Sequence, residues 1–188
     1  MGSRASPGDT LPDLLRHGLL VVFVGINPSL YSVAQGHYFA RRSNRFWPCF
    51  SRSTLSAQAR HTLRVAMLAP EHDRTLPDVG FGFTDLCKRA TARAGDLAPN
   101  ELAEGVATLE AKLAQYKPAV ACFHGMTGYR HIQRALAAAS PDATLGLQPL
   151  HIGITRCYVV PNPSGANAHF TAADQTHWYD RLAQEIRE

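Results

Sequence analysis

The chain has 188 residues, enough for one domain with a full hydrophobic core. It is 45% hydrophobic and 18% charged, a globular composition, and no apolar run approaches the ~20 residues a membrane helix needs, so no membrane partner is expected. The net charge of +4 leans mildly toward polyanionic partners.

Residues 1–9 are small and polar and lack the apolar centre of a signal peptide, so a loose tail is expected before a single domain over residues 10–188. Residues 19–25 form a continuous apolar run, consistent with a strand buried on both faces, which breaks into Gly25-Ile26-Asn27-Pro28-Ser29. Residues 43–53 read as a helix with Pro48 in or near its first turn. Residues 81–86 make a weaker strand. Pro99 then starts a helix over residues 100–115, with Leu102, Val106, Leu109 and Leu113 at helical spacing. A strand over residues 119–123 leads to an alanine-rich helix, residues 127–139, stopped by Ser140-Pro141. A last strand, residues 157–160, ends in Pro161-Asn162-Pro163-Ser164-Gly165, and Thr171 with Asp174 opens a helix over residues 171–188 through a capping box. Strands alternating with helices predict an α/β fold: a three-layer sandwich with a mostly parallel central sheet flanked by helices.

In such sheets ligands bind beyond the carboxyl ends of the strands, where both Asn-Pro-Ser loops fall. Either loop alone also reads as a plain turn. Asn27 can donate and accept hydrogen bonds but cannot remove a proton at neutral pH, so it suits orienting a water or reading an amide-like ligand. Between the loops, Tyr38, Phe39, Phe46 and Trp47 are interleaved with Arg41, Arg42 and Arg45. Aromatic rings stack on bases and arginines neutralise phosphates. Phe46 and Trp47 read as core residues of the following helix, which leaves Phe39 freer to line a pocket. Cys49, Cys87, Cys122 and Cys157 are widely spaced, unsuited to zinc or a disulfide framework, and are expected to be reduced and structural in an intracellular protein.

Gly25-Ile26-Asn27-Pro28, Gly36, Phe39-Ala40 and Asn44-Arg45-Phe46-Trp47, followed late by Pro161-Asn162-Pro163-Ser164-Gly165, resemble the mismatch-specific uracil-DNA glycosylases of the Mug/TDG family. The resemblance reaches both ends of the chain. It implies a monofunctional glycosylase that rotates a damaged nucleotide out of DNA and hydrolyses its N-glycosidic bond, with no metal or cofactor and no lyase step. By the same resemblance Asn27 holds the attacking water, Phe39 stacks on the extruded base, and Ile26 contributes backbone contacts to it; Tyr38, and Ser29, which stands where relatives often carry glycine, are further candidates for the base pocket. The loop of Asn162, Pro163, Ser164, Gly165, Ala166 and Asn167 enters the vacated stack and holds phosphates. From their position alone, Lys88 and Arg89 read first as a solvated face and second as phosphate contacts, and His169 follows the loop within reach of a phosphate. The implied partner is double-stranded DNA with mispaired uracil, with single-stranded DNA as a second candidate, bound by a monomer.

Two departures from that family pattern matter. Ala166-Asn167-Ala168 stands where relatives carry a bulkier Leu-Ser-Arg, which predicts weaker reading of the opposite base. Asp85 stands where bacterial relatives have lysine, and a carboxylate there could accept the proton that Asn27 cannot. Its other reading is a salt bridge to Lys88 or Arg89. No second acid is evident near these motifs, so a glycosidase-type carboxylate pair is not expected. Two rival readings remain open: a non-catalytic sensor of mispaired or abasic DNA, and a nucleotide-binding protein. The second lacks the glycine fingerprints that cradle phosphates.

Overall fold

All four apolar runs become strands. The computed structural model describes residues 10–136 and 142–187, so the expected tail and the helix stop at Ser140-Pro141 lie outside the described residues. Five strands, β1 (Val21–Gly25), β2 (Phe81–Asp85), β3 (Val120–His124), β4 (Gly146–Ile152) and β5 (Thr155–Val160), form one sheet in the order β2-β1-β3-β5-β4. The first three and β5 run parallel, and β4 returns antiparallel at the edge.

The period of two along each strand splits the core. Val21, Phe23, Phe81, Phe83, Val120 and Cys122 pack under α2 (Phe46–Arg52), α3 (Ala57–Leu63) and α6 (Ala172–Arg187). Val22, Val24, Ala121 and Phe123 pack under α4 (Pro99–Tyr116) and α5 (Met126–Leu136). The first layer is aromatic: Phe23 meets Phe46 and Phe50 edge-on, with ring centroids 5.0 and 5.1 Å apart. Phe46 and Trp47 are core residues, and all four cysteines are buried free thiols.

Local signals explain the helix starts. Pro48 is the third residue of α2 and Pro99 the first of α4, positions where a missing N–H costs nothing. Thr171 and Asp174 exchange hydrogen bonds before α6, the Thr171 N–H donating to Asp174 at 2.7 Å and the Asp174 N–H to Thr171 Oγ1 at 3.1 Å. Besides α3, two elements go beyond the sequence expectations. One is β4, whose exposed Pro149 is tolerated because the strand lies at an edge. The other is the short α1 (Leu30–Gln35), capped by Ser29. No helix among the described residues is long and apolar enough to cross a membrane.

Candidate functional site

The parallel strands end together, and their carboxyl ends form the floor of a cavity of about 400 Å³. Ile26, Asn27, Pro28 and Ser29 line one side, and Asn162, Pro163, Ser164 and Ala166 the other, with Phe39, Asp85 and His124 between. The two Asn-Pro-Ser loops are therefore lips of one cleft. The second loop packs on the segment before α2 closely enough to demand glycine: a Cβ on Gly165 would sit 2.6 Å from the Ser43 carbonyl oxygen.

Asn27 is held by its amide nitrogen alone. Its Nδ2 donates to the Arg89 carbonyl at 2.8 Å and to Thr91 Oγ1 at 2.7 Å. Those two bonds use both amide hydrogens and leave Oδ1 as an acceptor, suited to a water O–H. Thr91 is itself fixed by donating to the Arg93 carbonyl at 2.7 Å. Beside it, Ser29 serves as the cap of α1: its Oγ accepts from Ser32 N–H at 3.1 Å. The Ser29 hydroxyl thus lines the cavity while bound to its own helix.

Phe39 occupies the left-handed region, φ 52°, which strains a bulky side chain. Several contacts impose that conformation. Asp73, buried, accepts from the Tyr38 N–H at 3.0 Å, and the Trp47 indole N–H donates to the Tyr38 carbonyl at 2.8 Å. The Phe39 ring stacks on Phe46 at 4.4 Å and lines the cavity, as a platform for a flat ligand would. Tyr38 departs from the pocket role expected of it. Its ring is 3% exposed and stacks on Phe83, and its hydroxyl donates to the Pro12 carbonyl and accepts from Lys88. It touches the cavity wall, but its polar atom is committed behind it.

Asp85 ends β2 and is buried, leaning over Gly25, where a Cβ would come within 2.5 Å of its Oδ1. Burial pushes its carboxyl up to about 6; the Lys88 charge opposes the shift and nearby Asp13 adds to it. Asp13 is the second acid that the sequence did not reveal. It belongs to the segment before β1 and binds Lys88 at 3.0 Å, Lys112 at 2.6 Å and Thr84 Oγ1 at 2.7 Å. Burial works to raise its carboxyl, but the two lysines outweigh burial and hold it below the usual range.

The phosphate contacts expected of Lys88 and Arg89 need correction. Lys88 turns inward between Asp13, Asp85 and Tyr38, with Nζ 3.4 Å from Asp85 Oδ2. Arg89 makes a two-pronged pair with Glu101, at 2.6 and 2.8 Å, which anchors the 88–93 loop to the start of α4. That pair, with the Ala98 N–H, holds the Glu101 carboxyl down at about 2. Both cations are thus spent on protein carboxylates. His169 remains exposed, on the wall of a second cavity beyond Asn162.

Arg45 also differs from expectation. Its guanidinium donates to the carbonyls of Ser164 at 3.1 Å, Asn167 at 2.6 Å and Phe170, while its backbone N–H donates to the Pro163 carbonyl at 2.8 Å. One residue from the first half of the chain thereby bolts down the second loop. Within that loop, Asn162 accepts from Ser164 N–H at 2.9 Å and Asn167 donates to the Asn162 carbonyl at 2.9 Å, leaving Ala166 exposed at the tip. We expect Arg45→Met to lower stability by about 2–4 kcal/mol, since several charge-assisted bonds vanish together. Calorimetry would measure that loss. The salt dependence of DNA binding should keep its slope, whereas losing a phosphate contact would reduce it by about one.

Sequence reading missed Thr91, Asp13, Asp73 and the clamp role of Arg45. Only Thr91 offered a signal, lying in the loop after β2 at the same sheet end as Asn27. The rest act through contacts between residues far apart in the chain.

A mostly parallel α/β sheet thus carries, in one cleft at its carboxyl end, a ring placed to stack on a flat ligand and an amide oxygen left as an acceptor. A sequence model of the uracil DNA glycosylase superfamily matches residues 12–186, and the chain belongs to that superfamily. It is similar to a Schizosaccharomyces pombe protein named "G/U mismatch-specific uracil DNA glycosylase", 29% identical over 180 residues that cover 94% of this chain and 53% of the relative. The chain thus spans about half the length of that curated relative. Its fold is similar to the solution NMR structure of a Methanosarcina acetivorans protein, with a TM-score of 0.58 at 18% identity over 96% of this chain and 99% of the other.

Proposed function

We propose that this protein is a monofunctional DNA glycosylase that removes uracil, and related pyrimidine lesions, from mispaired sites in DNA and leaves an abasic site. The observation that carries this reading is the single cavity shared by both Asn-Pro-Ser loops, Phe39 and Asp85 in a chain of this superfamily. The name of the fission-yeast relative supports uracil opposite guanine as a substrate.

The mechanism follows from the groups present. An extruded uracil stacks on Phe39 between the two loops. Asn27 Oδ1 accepts one hydrogen of a water, orienting its oxygen toward C1′. As the C1′–N1 bond breaks, positive charge grows on the sugar and the electron pair leaves with N1 of uracil. The water oxygen bonds to C1′, and its proton passes to the Asp85 carboxylate and then to solvent or the departing base. The Asp85 charge also favours the sugar cation. No lysine is among the cavity's lining residues, which supports hydrolysis without a lyase step. The enzyme acts as a monomer wherever the cell keeps its DNA.

Extrusion costs a few kcal/mol and is cheapest for a mispaired base, so mispairing itself confers selectivity. A bulky wedge would offset the lost stacking only in a duplex, and Ala166 is small. We therefore expect similar single-turnover rates on uracil opposite guanine and in single strands. A labelled oligonucleotide panel measures this. Strict dependence on guanine would overturn the role given to Ala166, and capture of mismatched DNA without base release would make the protein a sensor.

A further inference from the structure

His124 is the last residue of β3 and lies on the same sheet face as Asp85. The register places Gly25 beside Asp85 on β2, and Val24 beside Phe123 on β3, so His124 flanks Gly25 from the other side. Gly25 has no side chain, so Asp85 Oδ1 leans into the space a Cβ would take, and Gly25, Asp85 and His124 together line the cavity floor. The ring of Phe39 meets the imidazole edge-on at 5.1 Å.

The imidazole is 5% exposed, and its two nitrogens differ. Nε2 pairs with the Tyr179 hydroxyl at 2.9 Å. Nδ1 is buried with no hydrogen-bond partner among the described residues, an arrangement that folded proteins keep chiefly where a ligand or water supplies the partner. Burial holds the ring neutral, with its titration pushed down to about 3, so only one nitrogen carries hydrogen. The Tyr179 hydroxyl also faces the Gln175 side chain, which acts on it as a hydrogen-bond donor does, so the hydroxyl spends its own hydrogen on His124 Nε2. Nε2 then accepts, and the ring hydrogen resides on Nδ1.

We infer that His124 is a base-reading residue, whose Nδ1–H donates to the carbonyl oxygen at C4 of the extruded pyrimidine. This rests on the glycosylase reading of the cavity. The depth is suitable: Gly25 precedes Asn27 by two residues, at most about 7 Å along the strand direction, which is roughly the reach from a sugar held at Asn27 to the far edge of a pyrimidine. A donor at that edge accepts uracil and thymine and opposes cytosine, whose amino group there is also a donor.

The test compares uracil with 2-pyrimidinone, which lacks the C4 oxygen, each opposite guanine in single-turnover excision. Against wild type, His124→Phe should slow uracil release on the order of 10–100-fold and leave 2-pyrimidinone almost unchanged. His124→Asn, which restores a donor in a smaller side chain, should recover part of the difference. Equal losses on both bases, or none on uracil, overturn the assignment. Titrating the protein with each free base reads the same contact without catalysis. The His124 Nδ1 nitrogen resonance should move with uracil and not with 2-pyrimidinone, and a resonance unmoved by uracil overturns the assignment. Wild-type protein that releases neither base from DNA overturns the glycosylase reading instead, and the titration still decides the role of His124.

Discussion

Asn27→Ala should lower single-turnover uracil release by about 10²–10⁴-fold while leaving affinity for abasic DNA within a fewfold of wild type. The reason lies in what the amide does. Its two hydrogens bind the Arg89 carbonyl and Thr91 Oγ1, so the side chain cannot rotate and its oxygen faces one way. A water accepted there needs no reorganisation when C1′ becomes electron-poor. Alanine removes the acceptor but leaves Phe39 and the second loop, which hold the nucleotide. Asn27→Asp is the sharper control. It offers a better base, yet one of its oxygens would face the Arg89 carbonyl at about the 2.8 Å now spanned by a hydrogen bond. Two acceptors at that distance repel, so the aspartate should not rescue activity. Full activity in Asn27→Asp would mean that basicity, rather than placement, is what this position supplies. Release and binding measured on the same labelled duplex separate these outcomes.

Placement also explains what the sequence could and could not reveal. Runs such as residues 19–25 and 119–123 are legible because burial on both faces demands unbroken apolar residues, and the sheet order then brings both Asn-Pro-Ser loops to one end. Position along a strand made Asp85 visible for the same reason. Side-chain direction was not legible. Lys88, Arg89 and Arg45 look like solvent-facing cations in the sequence, yet each is bound by an acceptor at least three and as many as 125 positions away. A long cationic side chain can reach in several directions, and only the fold decides which carboxylate or carbonyl it meets. Asp13 was hidden similarly, for it precedes β1 and reaches the site through Lys88, Thr84 and its charge beside Asp85. The edge strand β4 was missed because its pattern, half exposed and broken by Pro149, resembles a loop.

These hidden contacts set the energetics of the visible site. Phe39 is held at φ 52°, a conformation that costs about 1–3 kcal/mol for such a residue. The Asp73 and Trp47 bonds on either side of Tyr38 stabilise that segment before any DNA arrives. The clamp of Arg45 on the second loop does the same for the opposite lip. Ordering both lips in the free protein removes that entropy loss from the binding step, which leaves more of the interaction for extruding the base.

Asp85→Asn should abolish most excision and yet make the protein more stable. The carboxyl, pushed up to about 6 by burial, is ionised at neutral pH against the preference of its surroundings. In the unfolded chain the same group titrates near 3.8. Between those values the folded state keeps a proton that the unfolded state releases, so stability falls as pH rises through the window and the full penalty is present above about 6. The interval from 3.8 to about 6 corresponds to about 3 kcal/mol. Asparagine keeps an acceptor for Lys88, which retains its pair with Asp13. A net gain of about 1–3 kcal/mol at neutral pH is therefore expected, or several degrees in Tm, shrinking as the pH approaches 4. Activity should show the reverse trend: wild-type single-turnover release rises as pH increases through about 6, when the carboxylate appears, and Asp85→Asn loses that rise. Thermal melts and rate profiles across pH 4 to 8, run on both proteins, test the two halves together. A variant that melts lower, or one that excises uracil at the wild-type rate, would show that Asp85 serves as a structural partner of Lys88 and not as the proton acceptor.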